Sequence, residues 1–515
     1  MNRNHVLFCA CLFVLLVLPI ESPCQGALGN GRSHKEWRPW NFPGVPGRRF
    51  PIVANNMPRH FFGPVPRWEL DPSEDSLRYF LLEAQNAGFD LVRLSLSPSR
   101  DLSTDERYYL AFAEALRQLN TTHTGQELRY LACDGRVGGA YAPQTVALLS
   151  QVYADPYLYG FSIDEPYERD FPRLSVWCDA FNGAEGSSWL RGKLLDINLF
   201  GIPSINGYER YVSDWLAAAS PRTLSFDNYP VWNDSLAARF NDSIGSDWTN
   251  DFFYNLEIFR EHSAETGLPF WNWILVHRHW SSYSHRYYRR ATPADLRLQV
   301  YSSLAYGAKG LLYYNFWNPP QQFSPNGWHE ESGLLDTTGR ETDLYGVVRD
   351  LNERVLSLGD TLLQLRTCGV YHAAITRRKS GEKSEKLFAS AATDSTGPYG
   401  IRLSDRDDGL DSADAAEKIV RHIDNAWGMV GILRNGTTGD YYLFVVNRDR
   451  VSDEHVVVTL DAGKIGGKSG AALREMPTQS LVRAFGRSQP VWKFSVLLEP
   501  GGGRLFWLSP TNGKR

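Results

Sequence analysis

The chain has 515 residues, with 54 Lys+Arg against 58 Asp+Glu for a formal net charge of −4, and its length suggests about two to four domains. Hydrophobic residues at 43% and charged residues at 22% exclude wholesale disorder. The near-neutral balance gives no basic stripe and argues against a nucleic-acid partner, while 16 Trp, 25 Tyr and 26 Phe suit sugar faces and equally suit a plain core.

Residues 1–26 read as a secretory signal peptide. Arg3 supplies the positive start, and Val6 to Ile20 is an apolar run of 15 residues, shorter than the roughly 20 that span a bilayer. Cys24 and Gly26 place small residues at −3 and −1 of a cut after Gly26. The mature chain is therefore expected outside the cytoplasm, extracellular or periplasmic, with no stable membrane insertion. Cleavage leaves Cys133, Cys178 and Cys368, enough for one disulfide, with Cys133 and Cys178 the candidate pair, or for three thiols.

From about residue 50 to 365 the pattern alternates strand and helix. The predicted strands are Pro51–Asn55, Phe89–Leu96, Leu128–Cys133, Leu158–Ile163, Leu194–Leu199, Thr223–Phe226, Pro269–Val276 and Gly310–Phe316. Several are nearly continuous apolar runs, as parallel strands covered on both faces require. Asp71-Pro72-Ser73-Glu74 opens a helix that Gly88 stops, and Thr292-Pro293 opens another that Gly307 closes. Eight strand–helix units predict an α/β fold, a (β/α)8 TIM barrel over residues 27–365. A doubly wound open sheet is the rival, but the first turn, Asn55-Asn56-Met57-Pro58, has no G-x-G-x-x-G phosphate loop.

From residue 366 to 515 the segments shorten and become β-rich. Gly428–Leu433, Tyr441–Val446, His455–Leu460 and Arg504–Leu508 are separated by Gly, Asn and Asp turns. They predict a smaller all-β sandwich domain. Residues 379–424 are polar and read as a long loop with one weak helix.

Barrel chemistry sits where strands exit at their C-terminal ends. The fourth strand leaves as Ile163-Asp164-Glu165-Pro166 and the sixth as Phe226-Asp227-Asn228-Tyr229-Pro230. The seventh exit carries Trp273 and His277, the eighth Trp317, and the first Asn55. Carboxylates thus follow apolar strands twice, among aromatic rings. Glycoside hydrolysis uses such a pair, one protonating the leaving oxygen and the other acting as nucleophile or activating water. Aromatic walls keep the acid protonated near neutral pH by disfavouring its charge. The bland alternatives are that Asp164 or Glu165 caps the next helix and that Asp227 ties down a loop.

Ile163-Asp164-Glu165-Pro166 resembles the Asn/Asp-Glu-Pro signature of the large clan of (β/α)8 glycoside hydrolases that includes cellulases and β-galactosidases. Leu304-Ala305-Tyr306-Gly307-Ala308-Lys309-Gly310, leading into Tyr313-Tyr314-Asn315-Phe316-Trp317, is similar to the last helix and strand of β-galactosidase-like members. The resemblance spans residues 50–365 and implies that Glu165 is the general acid/base. The clan places its nucleophile, a Glu, at the end of strand seven. This chain has no carboxylate there, so the nucleophile is either moved, with Asp227, Glu330 or Glu331 as substitutes, or absent.

These readings give a secreted glycosidase with Glu165 and Asp227 as catalytic carboxylates. Asp164, Tyr229, Trp273, His277, Trp317 and Asn55 would bind a carbohydrate substrate. The alternative is a non-catalytic carbohydrate-binding protein on a decayed hydrolase barrel. No metal or organic cofactor is implied, since His329-Glu330-Glu331 has no second His at helical spacing. The loop after strand seven holds Arg278, Arg286, Arg289 and Arg290 with no acid among them. It could grip a uronate or sulfated sugar, or be solvated surface.

Overall fold

A computed structural model describes residues 49–55, 74–96, 102–123, 126–183, 188–201, 207–231, 247–281, 286–317, 333–336, 338–377, 383–389, 419–425, 427–465, 470–486 and 489–510. The signal-peptide reading and the candidates Glu330 and Glu331 lie outside them.

The first seven barrel strands are β1 (Ile52–Asn55), β2 (Leu91–Leu96), β3 (Arg129–Asp134), β4 (Leu158–Asp164), β5 (Leu194–Leu199), β6 (Leu224–Phe226) and β7 (Phe270–Leu275). After β7 the chain makes a two-stranded hairpin, β8 (His279–Ser281) and β9 (Arg286–Tyr288), before the eighth barrel strand, β10 (Gly310–Tyr314). The eight barrel strands close in the order β1-β10-β7-β6-β5-β4-β3-β2, every pairing parallel. This is the predicted (β/α)8 architecture.

Helices α1 (Glu74–Asn86), α2 (Leu102–Thr122), α3 (Pro143–Val152), α4 (Phe171–Phe181), α5 (Tyr208–Ala218), α6 (Asp247–Thr266), α7 (Pro293–Ala305) and α8 (Asp343–Gln364) fall between or after the strands. Their ends follow local chemistry. Thr292 accepts a hydrogen bond from the Asp295 backbone N–H at 3.2 Å, and Asp295 reaches back to the Thr292 N–H at 2.8 Å, a capping box with Pro293 at the first helical position. Gly307 then leaves the helix with φ +97°, a conformation that costs glycine nothing.

Helix α8 runs directly into β11 (Leu365–Arg377). A seven-stranded antiparallel sheet follows in the order β12-β11-β14-β15-β20-β17-β18. It comprises β12 (Lys383–Ala389), β14 (Gly428–Asn435), β15 (Tyr441–Asn447), β17 (Ala471–Glu475), β18 (Ser480–Phe485) and β20 (Gly503–Pro510) beside β11. A three-stranded sheet, β13 (Val420–Ile423), β16 (Glu454–Asp461) and β19 (Val491–Leu498), covers one face. Val430, Ile432, Val445, Val458, Trp492, Phe494 and Phe506 fill the space between the two sheets. Within the polar stretch 379–424 the described residues form β12 and β13, and the remainder of the predicted loop with its weak helix lies outside the described residues.

The other face of the large sheet rests on α7. Met429, Leu433, Phe444, Val446 and Leu505 join the barrel's core there. That accounts for α7 being buried nearly all round, since a helix covered on both sides has no solvated face to keep polar. The approach is close: a Cβ on Gly431 would stand 2.2 Å from the Ala305 carbonyl oxygen, and one on Gly501 2.1 Å from that of Ala294.

Candidate active site

Side chains alternate along a strand, so each barrel strand sends every second residue inward. Near the C-terminal ends these inward residues are polar, and they bond to one another around Arg93 of β2. Arg93 donates to Asn55 (3.1 Å), to Ser162 (3.1 Å), to the Cys133 sulfur (3.4 Å) and to Asp164 (3.2 Å). Ser162 donates to Asp196 at 3.0 Å, and Asn55 donates to Asn315 at 2.6 Å. Burial works against the Arg93 charge, but Cys133, Asp164 and Asp196 outweigh it and lift its pKa above the ordinary guanidinium value. Burial likewise pushes Asp196 up to about 6, with Arg93 opposing.

Above this layer stand the two predicted carboxylates. Asn198 of β5 links their strands, because its side-chain N–H group donates to Asp164 at 2.9 Å and to Asp227 at 3.2 Å. Asp227 also accepts a hydrogen bond from Tyr229. Glu165 follows β4 with φ +45°, in the left-handed region, and its backbone N–H donates to the Asn198 carbonyl at 2.8 Å. A non-glycine residue held there costs on the order of 1–3 kcal/mol, which the surrounding structure must sustain.

The charges are crowded. Burial raises the Glu165 pKa, the charges of Asp227 and Asp164 raise it further, and Arg93 only partly opposes them. Burial also raises Asp227, and Asp164 adds to it, against the hydrogen bonds from Asn198 and Tyr229. Glu165 therefore holds its proton over a wider pH range than a solvated glutamate, as a general acid must.

An aromatic wall completes the mouth. Tyr229 and Tyr314 lie parallel with ring centroids 6.1 Å apart, and Trp273 meets Tyr314 edge-on at 6.2 Å. The Trp273 indole donates to Ser225 at 3.3 Å, and Arg93 lies 5.3 Å from its ring centroid. At the β7 exit His277 is fully buried, its Nδ1 3.2 Å from the Tyr314 carbonyl oxygen. Its Nε2 has no hydrogen-bond partner among the described residues. The His279 ring stacks on it at 5.2 Å and on Tyr288 at 4.8 Å. Burial lowers His277 to about 4 and holds His279 well below the usual imidazole range, so both rings are neutral.

The structure thus brings Asp164, Glu165, Asp227, Tyr229, Trp273 and Asn55 to one end of the barrel, with His277 behind Tyr314. Trp317 is buried edge-on against Phe80 of α1, centroids 5.9 Å apart. Arg93, Asp196, Asn198, Tyr314 and His279 are additions that the sequence reading missed. A lone arginine in Leu91-Val92-Arg93-Leu94 and the alternation Asp196-Ile197-Asn198 in β5 were the available signals. Cys133 and Cys178 are not joined in a disulfide, because Cys133 faces Arg93 inside the barrel while Cys178 is buried in the helical layer. In the strand-seven loop, Arg289 is bonded to Asp295 (2.6 Å) and Arg290 to Asp343 (2.5 Å), which takes two of its four arginines away from any anionic ligand. Among the described residues no three His, Cys, Asp or Glu side chains converge to hold a metal ion.

No protein-family model matches the chain, and no curated protein matches it in sequence. Among solved structures it is similar to a β-galactosidase from the psychrophilic Marinomonas ef1, at 12% identity over 61% of this chain and 62% of that one, TM-score 0.39. A β-galactosidase from Bacillus circulans sp. alkalophilus is similar at 10% identity over 90% and 99%, TM-score 0.49. The exo-β-1,4-mannosidase Op5Man5 from Opitutaceae bacterium strain TAV5 is similar at 17% identity over 60% of each chain, TM-score 0.41. The chain thus spans about three fifths of the Marinomonas and Opitutaceae proteins. The fold stands on the closed barrel itself, and the case for a reaction on the residues above.

Proposed function

We propose that this protein is a glycoside hydrolase working at the C-terminal mouth of its barrel, on a carbohydrate held against Tyr229, Trp273 and Tyr314. The observation that carries this reading is the placement of Glu165 at the end of β4, anchored by its backbone N–H to the Asn198 carbonyl, where burial and the neighbouring Asp227 and Asp164 raise its pKa. In the first half of the reaction Glu165 gives its proton to the glycosidic oxygen as the bond to the anomeric carbon breaks. In the second it takes a proton from the incoming water. Asn198 holds Asp227 and, with Arg93, Asp164 in place, and the carboxylates stabilise positive charge developing on the sugar. The apolar run at residues 6–20 supports export, which the N-terminal mass of the mature protein tests.

Glu165→Gln removes the proton and keeps the shape. Its kcat/KM on a hydrolysed glycoside should fall by about 10²-fold or more, with an unchanged circular-dichroism spectrum. Near-wild-type turnover would remove Glu165 from the mechanism. The alternative, a carbohydrate-binding protein without turnover, is favoured by one feature: His277 stands at the strand-seven exit, where the glycosidase resemblance would place a carboxylate nucleophile. Sugar binding without hydrolysis across a glycoside panel would decide for it.

A further inference from the structure

Displacement at an anomeric carbon needs an electron-rich atom on the face of the sugar opposite the leaving group. In an eight-stranded ring the strand opposite β4 is β10, flanked by β7 and β1. Among the described residues that wall presents Tyr314, Trp273, Asn55 and the buried, neutral His277, and no carboxylate. Asp227 does not fill the gap. It leaves β6, two strands from β4, and one side-chain amide, that of Asn198, holds it (3.2 Å) and Asp164 (2.9 Å) together. Three carboxylates, Asp164, Glu165 and Asp227, therefore crowd the acid's own side of the mouth, facing rings.

A carboxylate in that place is badly sited to attack from the rear, but well sited to accept a hydrogen bond from a substituent on the sugar. Asp164 is engaged on both oxygens, by Asn198 and by Arg93. Asp227 takes Asn198 and Tyr229 and keeps acceptor capacity, since an ionised carboxylate offers about four lone-pair sites.

We propose that the substrate brings its own nucleophile: a glycoside of a 2-acetamido-2-deoxy sugar, whose amide N–H is held by Asp227. This rests on the glycosidase reading with Glu165 as the acid. The amide oxygen attacks the anomeric carbon as the bond to the leaving oxygen breaks, and the Glu165 proton passes to that oxygen. The product is a cyclic oxazolinium ion whose N–H stays bonded to Asp227. Water then adds to the anomeric carbon from the side the leaving group vacated and gives a proton to the Glu165 carboxylate. The bond to the amide oxygen breaks and the acetamido group is restored. One water is consumed, the configuration is retained and no bond to the enzyme forms. The partly buried Tyr314 ring offers an apolar seat for the acetamide methyl. An intramolecular nucleophile has the advantage of high effective concentration, which compensates for a wall on which the described residues place no carboxylate.

The test compares 4-nitrophenyl glycosides bearing a 2-acetamido group with their 2-hydroxyl parents, in gluco and galacto series and both anomers. The acetamido substrate should show a kcat/KM at least about 10²-fold higher, falling stepwise as the acetyl group carries one, two and three fluorines. The thiazoline analogue of the cyclic intermediate should inhibit competitively and raise the melting temperature. Asp227→Asn should cut acetamido turnover by about 10²-fold and weaken thiazoline binding, while the melting temperature without ligand stays at or above that of wild type. Equal, Glu165-dependent turnover of the 2-hydroxyl parents would overturn substrate assistance and leave the glycosidase reading standing. No turnover of any glycoside, with no thiazoline binding, would overturn both.

Discussion

At the scale of single residues the site is defined by carboxyls held away from their ordinary protonation. Glu165 is a carboxyl whose pKa folding raises above the ordinary 4.5. Its stabilising contribution is fully present below that value and is lost as pH rises through the folded-state pKa. Glu165→Gln removes this loss, so its melting temperature relative to wild type should climb as pH rises from about 4.5 toward alkaline values. Thermal scans across that range check it, and a difference constant with pH would mean that Glu165 titrates as in water. The motif around Glu165 was legible in sequence because a carboxylate ending an apolar strand has few structural uses. The φ of +45° was not legible, since the Asn198 carbonyl that fixes it comes from the next strand. Arg93 was passed over for a related reason. One charge in an apolar strand is costly unless paired, and its partners come from β1, β3 and β4, far away in sequence.

At the scale of elements, the polar layer shows what the alternation of a strand does inside a closed barrel. Asp164, Asn198 and Ser225 are register partners on β4, β5 and β6, so their side chains form one row. Arg93→Met would leave Asp164 without its cation and Asp196 with a neutral neighbour. It should cost at least about 2 kcal/mol, short of the roughly 3–5 kcal/mol of a wholly buried pair because the Asp164 side chain is 48% exposed. Urea unfolding measures this. Adding Asp196→Asn should recover part of the loss, and an additive double variant would show that the two do not interact. The barrel strands and the Thr292 cap were readable from local chemistry, since periodicity and capping are properties of neighbouring residues. Strands β12 and β13 were not, because a polar stretch reveals no strand until its partners, β11 and β16, are known.

At the scale of the whole molecule, barrel and sheet share α7 and the ion pairs around it. Asp295 is gripped by Arg289 at 2.6 Å and by Arg450 of the sheet region at 3.0 Å. At the opposite end of the same helix, the Tyr306 hydroxyl lies 2.7 Å from Nε2 of the buried His372 on β11. Burial, with Arg448 adding to it, holds His372 neutral well below the usual 6.5. A depressed imidazole contributes stability above its unfolded pKa and loses it as pH falls through the folded one. Wild type should therefore exceed His372→Gln in melting temperature at pH 8 and lose that margin steadily below pH 6.5, as thermal scans at both ends would show. An unchanged margin would place His372 in a hydrated pocket. The shared helix also has a consequence during synthesis. Helix α7 is complete once residue 305 has been made, yet strands β14, β15 and β20 that cover its outer face begin at residue 428 and end at residue 510. One contact, from Arg297 to the Pro500 carbonyl, closes a separation of 203 residues. Such long-range closure is slow, and nascent domains with uncovered apolar surface are prone to aggregate. A ribosome-bound chain that ends before the last strand would carry an α7 exposed on its sheet-facing side. The barrel would then depend on strands translated long after α7 itself for its protection from proteases and chaperones.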